Sequence, residues 1–177
     1  QAVIPITLEE RQQRLSNLQQ CLAVFELDAV IISPGASMRY LFGLTWRETE
    51  RLVCAIVSAH TTVFVCPKFE DTALLAALPT PHDCAWWEEH ENPRSVVSAV
   101  LAEHQCQRVG VDPNCSFGQA YALANATQAQ ITSAGPILQS LRAQKSPSEI
   151  ALMQAAKSLT LDVHVAIFGW IKPGMRK

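Results

Sequence analysis

The chain has 177 residues, of which 17% are charged and 49% hydrophobic, and its 14 basic and 16 acidic side chains leave a formal net charge of -2. That balance excludes disorder, which shows the reverse pattern, and it lacks the basic footprint of a nucleic-acid or anionic-membrane binder. The length suits one ordinary domain and not two large ones.

A count along the chain finds no stretch approaching the ~20 apolar residues of a bilayer span. The N-terminus Gln1-Ala2-Val3-Ile4-Pro5 lacks the basic region and apolar core of a signal peptide. Six cysteines, at 21, 54, 66, 84, 106 and 115, form no Cys-x-x-Cys pair. Cys54 and Cys66 fall in apolar runs, where a free thiol behaves as a small hydrophobe. Reduced, mostly buried thiols in a cytoplasmic, soluble chain are the expectation.

The first helix opens on the capping box Thr7-Leu8-Glu9-Glu10. Leu8, Leu15, Leu18, Leu22 and Phe25 follow at steps of 7, 3, 4 and 3, one face of a helix. Ala29 to Ser33 reads as a strand covered on both faces, stopped by Pro34-Gly35. Ala36 to Phe42 reads as a short helix capped by Gly43. Leu52 to Ser58 and Thr61 to Cys66 are two strands with only Ala59-His60 between them, so an antiparallel hairpin is expected, although neither residue favours a tight turn. Glu70 to Leu78 then reads as helix, Cys84 to Trp87 as strand and Pro93 to His104 as helix. Arg108 to Val111 reads as strand, Ser116 to Thr127 as helix and Gln130 to Ser133 as strand. Alternating strand and helix predict an α/β sheet with an inserted antiparallel hairpin.

Ser146-Pro147-Ser148-Glu149 joins an N-cap serine, a first-turn proline and a capping-box glutamate. Leu152, Ala156, Leu159, Val163 and Ile167 recur at steps of 4, 3, 4 and 4, which predicts a helix of about 20 residues. With Phe168, Trp170 and Ile171 it needs a partner to bury its apolar face. The expectation is that the sequence stops at the opening of a second domain.

No complete catalytic constellation is legible. The five histidines form no His-x-x-x-His or His-Glu-x-x-His pair, and neither a Gly-x-Ser-x-Gly elbow nor a Walker loop occurs. Glu88-Glu89-His90-Glu91 reads as a solvated acidic turn, and Asp162 and His164 point in different directions on their helix. Trp86-Trp87 reads as one ring in the core and one at the surface. The loop Thr45 to Glu50 is the most function-like surface. Trp46 can stack on a partner and Arg47 can grip a carboxylate. Alternatively, Trp46 folds onto the domain and Arg47 pairs with Glu48 or Glu50.

Several stretches, in order, resemble the N-terminal domain of the creatinase/prolidase/aminopeptidase P superfamily. Leu141-Arg142-Ala143-Gln144-Lys145-Ser146-Pro147-Ser148-Glu149-Ile150 resembles its Arg-x-x-Lys-Ser-x-x-Glu-Ile junction. Arg39-Tyr40-Leu41-Phe42-Gly43-Leu44 resembles its Arg-Tyr-Leu-x-Gly-Phe segment, and Val63-Phe64-Val65-Cys66-Pro67 with Glu70 the strand that follows. Val109-Gly110-Val111-Asp112 resembles its Ile-Gly-Val-Asp strand. Ile171-Lys172-Pro173-Gly174-Met175 resembles its Lys-Pro-Gly-Met turn, with Arg176-Lys177 departing from the usual hydroxyl residue and Glu.

The resemblance implies a mixed α/β sheet with helices on both faces, ribonuclease-H-like in shape, over residues 1–140. It implies that 141–177 are the linker and first helix of a truncated pita-bread catalytic domain. In peptidase members that domain binds two divalent ions (Mn, Co or Zn) through two Asp, one His and two Glu. All five ligands lie downstream, so no cofactor and no catalytic or metal residue is assigned here. The implied parent is a homodimeric Xaa-Pro dipeptidase or aminopeptidase, whose partners are its own catalytic domain and peptide substrates, not nucleic acid or membrane. Trp46 and Arg47 become substrate-mouth residues supplied in trans. The alternatives are a creatinase-like, metal-free amidinohydrolase or a catalytically dead binding module of the same fold.

Overall fold

Helix α1 (Leu8–Cys21) begins directly after Thr7, within the expected capping box, and a 3-10 turn at Ala23–Phe25 closes it. Leu18 and Leu22 are buried from its apolar stripe, while Leu15 and Phe25 pack at the edge of the same core. The chain then enters β1 (Ala29–Ile32) and α2 (Ala36–Phe42), which ends on Gly43 at φ 70°. Glycine takes this left-handed conformation at no steric cost. The computed structural model describes residues 4–175; Gln1-Ala2-Val3, and the Arg176-Lys177 departure from the family turn, lie outside the described residues.

Strands β2 (Cys54–Ser58) and β3 (Thr62–Pro67) form the expected antiparallel hairpin, in register Val57 with Thr62. Its Ala59-His60 turn does without the positive φ of the usual hairpin turns. Flanking side chains close it instead: the Ser58 and Thr61 hydroxyls lie 2.9 Å apart, and the Thr61 amide donates to Ser58 Oγ at 3.2 Å. After a 3-10 turn at Lys68–Glu70 come α3 (Asp71–Ala77), β4 (Asp83–Trp87) and α4 (Pro93–Glu103). They are followed by β5 (Arg108–Val111), α5 (Phe117–Ala126) and β6 (Gln130–Ser133).

The six strands form one mixed sheet in the order β4-β3-β2-β1-β5-β6. β2 is antiparallel to both neighbours, and the β3–β4, β1–β5 and β5–β6 pairs are parallel. Period-two side-chain alternation splits the central strands between two cores. Val30, Ile32, Ala55, Val57, Phe64 and Cys66 face one side, with α1, α2 and α3. Ala29, Ile31, Cys54, Ile56, Val63 and Val65 face the other, with α4 and α5. The mixed sheet with helices on both faces is therefore present.

One helix escapes the sequence reading. α6 (Gly135–Ala143) follows β6 directly and buries Ile137 and Leu138 in the first core. Pro136 does not oppose it, because a proline in the first helical turn loses no hydrogen bond. Contacts divide the chain into one unit at Leu8–Ala143 and another made of residues 1–7 and 144–177. The expected division at 140/141 falls inside the last turn of α6.

In the second unit α7 (Pro147–Trp170) has a complete capping box. The Glu149 amide donates to Ser146 Oγ at 3.1 Å, and the Ser146 amide donates to Glu149 Oε2 at 2.9 Å. None of its residues is buried. Its 24 residues, with a mean hydropathy of 1.2 over an 18-residue window, make it long and apolar enough to cross a membrane by length and composition alone. This corrects the count of apolar runs, which Gln154, Lys157 and Asp162 interrupt. Mid-helix Lys157 and Asp162 are costly in hydrocarbon, so the helix is a poor candidate for lipid.

Candidate functional site

β1 and β5 are parallel neighbours, yet the chain leaves them in opposite directions. β1 leads to α2 on one face of the sheet, and β5 leads to α5 on the other. This is a topological switch point, where open α/β sheets place ligands beyond the carboxyl ends of their strands. Here the α2–β2 loop, residues 44–53, fills the crevice. Glu48, Thr49 and Arg51 meet Ser33 and Pro34 after β1, and Cys115 and Gln119 around the start of α5, around a cavity of about 30 Å³. That volume holds about two waters and no substrate.

The loop is anchored at both ends. Leu44 is buried in the first core, and Leu52 and Val53 are buried in opposite cores. Trp87 Nε1 donates to the Leu52 carbonyl at 3.0 Å inside the protein. Trp86, next to it, is half-buried with the Lys68 ammonium 5.2 Å from its ring centre. Trp87 is therefore the core ring of the pair, while Trp86 is half-buried against the first core rather than at the open surface.

Trp46 is half-buried against the first core, and Arg47 is exposed. The structure thus folds Trp46 onto the domain. Arg47 pairs with neither Glu48 nor Glu50 and makes no other hydrogen bond or ion pair among the described residues. Arg51, which the sequence reading passed over, takes the acids. Its guanidinium reaches Glu50 at 3.4 Å and Glu89 at 3.2 Å, and lies 5.1 Å from the Phe69 ring centre. Only tertiary pairing shows this, since Glu89 is remote in sequence.

The two thiols that line the site are held protonated. Burial pushes the Cys115 thiol up, and the charges of Glu48 and Asp112 add to that despite an opposing Ser33 hydrogen bond. Burial likewise pushes Cys54 up to about 12. A protonated thiol neither attacks carbonyls nor binds metal. All six cysteines are free. Among the described residues no three His, Cys, Asp or Glu side chains gather as a metal site, so these residues do not fit a two-metal centre. The Glu88–Glu91 turn closes on itself, the Glu88 amide donating to Glu91 Oε2 at 2.7 Å.

Residues 14–144 match the sequence model of the Creatinase/Prolidase N-terminal domain. The chain belongs to the creatinase/prolidase family. It is 28% identical over 187 residues to an uncharacterized peptidase of Schizosaccharomyces pombe, a match covering 97% of this chain and 41% of that protein. Dipeptidase PepE from Mycobacterium ulcerans superposes with a TM-score of 0.82 at 22% identity, over 93% of this chain and 45% of PepE. The isolated creatinase/prolidase N-terminal domain of an X-Pro dipeptidase from Streptococcus pyogenes superposes with a TM-score of 0.63 at 18% identity, over 72% of this chain and 98% of that one. The chain thus spans less than half the length of the curated relative and of PepE.

Tyr40, Gly110 and Asp112, from the stretches that resemble the family, make structural contacts. Arg14 lies 4.2 Å from the Tyr40 ring centre, and its Nη1 donates to the Tyr40 carbonyl at 3.0 Å. Gly110 is tightly packed: a Cβ there would sit 3.0 Å from both Ala134 Cβ and Leu27 Cδ1. Asp112 turns the chain after β5, one oxygen accepting from the Asn114 amide at 2.9 Å.

Proposed function

We propose that this chain is the non-catalytic N-terminal domain of a two-metal Xaa-Pro dipeptidase or aminopeptidase, which hydrolyses peptides with proline in the second position. The observation that carries this reading is the family match over residues 14–144. The peptidase name of the Schizosaccharomyces pombe relative favours it over a creatinase-like amidinohydrolase. Residues 141–177 are then the linker and first helix of the catalytic domain. The likeness to PepE supports this, because it covers 93% of the chain where the isolated Streptococcus domain covers 72%.

In this reading the downstream domain supplies two Asp, one His and two Glu to hold two divalent ions, Mn, Co or Zn. Two metals generate hydroxide near neutral pH and polarise the scissile carbonyl. The present domain contributes a homodimer contact, and the loop that carries Trp46 and Arg47 borders the partner's active-site mouth, with Arg47 reaching into it. Exposed, unpaired Arg47 supports that role, because its five donors are free for a substrate carboxylate. Six free cysteines support a cytoplasmic location.

Residues 1–177, incubated with Mn²⁺ and a Xaa-Pro dipeptide, are expected to show no turnover. Turnover would overturn the assignment of catalysis to a downstream domain. Continued through a downstream segment carrying those five ligands, the protein is expected to cleave the dipeptide. There Arg47→Ala is expected to lower kcat/KM or alter substrate preference with the fold intact, and unchanged kinetics would remove Arg47 from the substrate mouth.

A further inference from the structure

A second cavity lies away from the switch point. It is a cleft of about 300 Å³ between the first turns of α1, the end of α2 and the Pro79–His82 segment that leads into β4. That is the lower end of the range for small-ligand pockets. Leu15, Leu41, Phe42, Pro79 and Pro81 give it apolar walls, and Arg11, Gln12, Thr80 and His82 give it polar ones.

Arg11 is the decisive residue. A Cβ added at Gly43 would overlap its guanidinium, so the side chain lies directly against the glycine that caps α2. The acid beside it in sequence, Glu10, is taken by Arg14. Arg11 itself makes no hydrogen bond or ion pair among the described residues. A half-buried guanidinium held in place without an acceptor is a preorganised receptor for a carboxylate, which it can grip bidentately.

His82 supplies no second cation. Its ring centre lies 5.7 Å from that of Phe42 and 5.3 Å from that of Phe64, and burial pulls its pKa below 6.5 against a weaker upward pull from Asp83. It is therefore neutral at pH 7, with Nε2 3.2 Å from Thr80 Oγ1. The cleft offers one positive charge, a hydroxyl and an apolar wall. A phosphate would lack cations, and a neutral apolar molecule would leave the guanidinium desolvated and unpaired.

We propose that this cleft binds a small carboxylate with an apolar body, the Arg11 guanidinium holding the carboxylate while Leu15, Leu41 and Phe42 take the apolar part. The proposal is independent of the peptidase reading, because its test measures binding and not turnover.

The test uses the whole 177-residue chain, labelled with ¹⁵N, and two probes of nearly equal shape, phenylacetate and its neutral amide phenylacetamide. Phenylacetate is expected to shift the amides of Gly43, Thr80 and His82 saturably, and phenylacetamide to bind about tenfold more weakly or worse, the ratio expected for losing a charged hydrogen-bonded pair. Arg11→Gln is expected to bring phenylacetate down to the level of the amide, and Arg11→Lys to retain part of the difference. Equal binding of the two probes to the unaltered chain would overturn the proposal without any variant. So would shifts centred elsewhere, binding of neither probe, or phenylacetate binding undiminished in a folded Arg11→Gln protein.

Discussion

The Tyr40 hydroxyl donates to the Leu141 carbonyl at 3.0 Å, joining α2 to the last turn of α6 across 101 positions of sequence. The terminal carbonyls of a helix have no partner within it, and here a side chain from the family's Arg-Tyr-Leu segment provides one. The same tyrosine receives Arg14 from α1 on its ring and its carbonyl. Three helices of one face are thus fastened at a single residue.

Tyr40→Phe keeps the ring under Arg14 and removes only the hydroxyl. The expected cost is about 1 kcal/mol, the net value of one hydrogen bond. Urea unfolding checks it, with a lower midpoint and an unchanged slope.

Gly110→Ala tests a close approach between β5 and the residues around it. The added methyl would meet Ala134 Cβ and Leu27 Cδ1 at 3.0 Å, and the Ala134 backbone Cα at 3.2 Å. Backbone cannot swing aside, so the expected loss is about 1–3 kcal/mol. Ala134→Gly in the same chain is expected to restore part of it, measured as a coupling energy in a double-mutant cycle.

His82 gives a pH dependence with a definite sign. Burial lowers its pKa in the folded protein below 6.5, so below that value the unfolded chain binds more protons than the folded one. Stability therefore rises with pH from the depressed folded pKa up to about 6.5 and is lost as pH falls through the same window. Urea midpoints between pH 7.5 and 5.5 are expected to drop more steeply for the unaltered chain than for His82→Gln. Parallel curves would show that His82 has no such shift.

Buried thiols should be silent until the protein opens. Burial pushes Cys54 and Cys66 up to about 12, leaving almost no thiolate at pH 8. An Ellman titration of native protein is expected to leave both unreacted, and all six cysteines are expected to react in denaturant. Fast native labelling of Cys54, located by peptide mapping, would contradict its burial.

The sequence by itself determined the elements whose signals are local. Periodicity placed α1 and α7, the apolar run placed β1, Gly43 ended α2, and Ser146 with Glu149 opened α7. Each rests on interactions within a few residues, so a linear reading captures it. It missed α6, a short helix whose Ile137 and Leu138 find their partners only in the assembled core. It also underrated α7 as an apolar helix, because single polar residues interrupt the run.

Only the tertiary structure decided which side chains meet. The strand order β4-β3-β2-β1-β5-β6 pairs segments distant in sequence, and no local preference encodes that pairing. Trp46 looked as free as Arg47 in the loop, yet packing holds the ring on the core and leaves the guanidinium exposed. Arg11 gave no signal at all in the sequence. Its place beside Gly43, over a cleft walled by α1, α2 and the approach to β4, exists only once those three segments are packed together. Burial and long-range contact are properties of the assembled chain, and they fix where a charge is left without a partner.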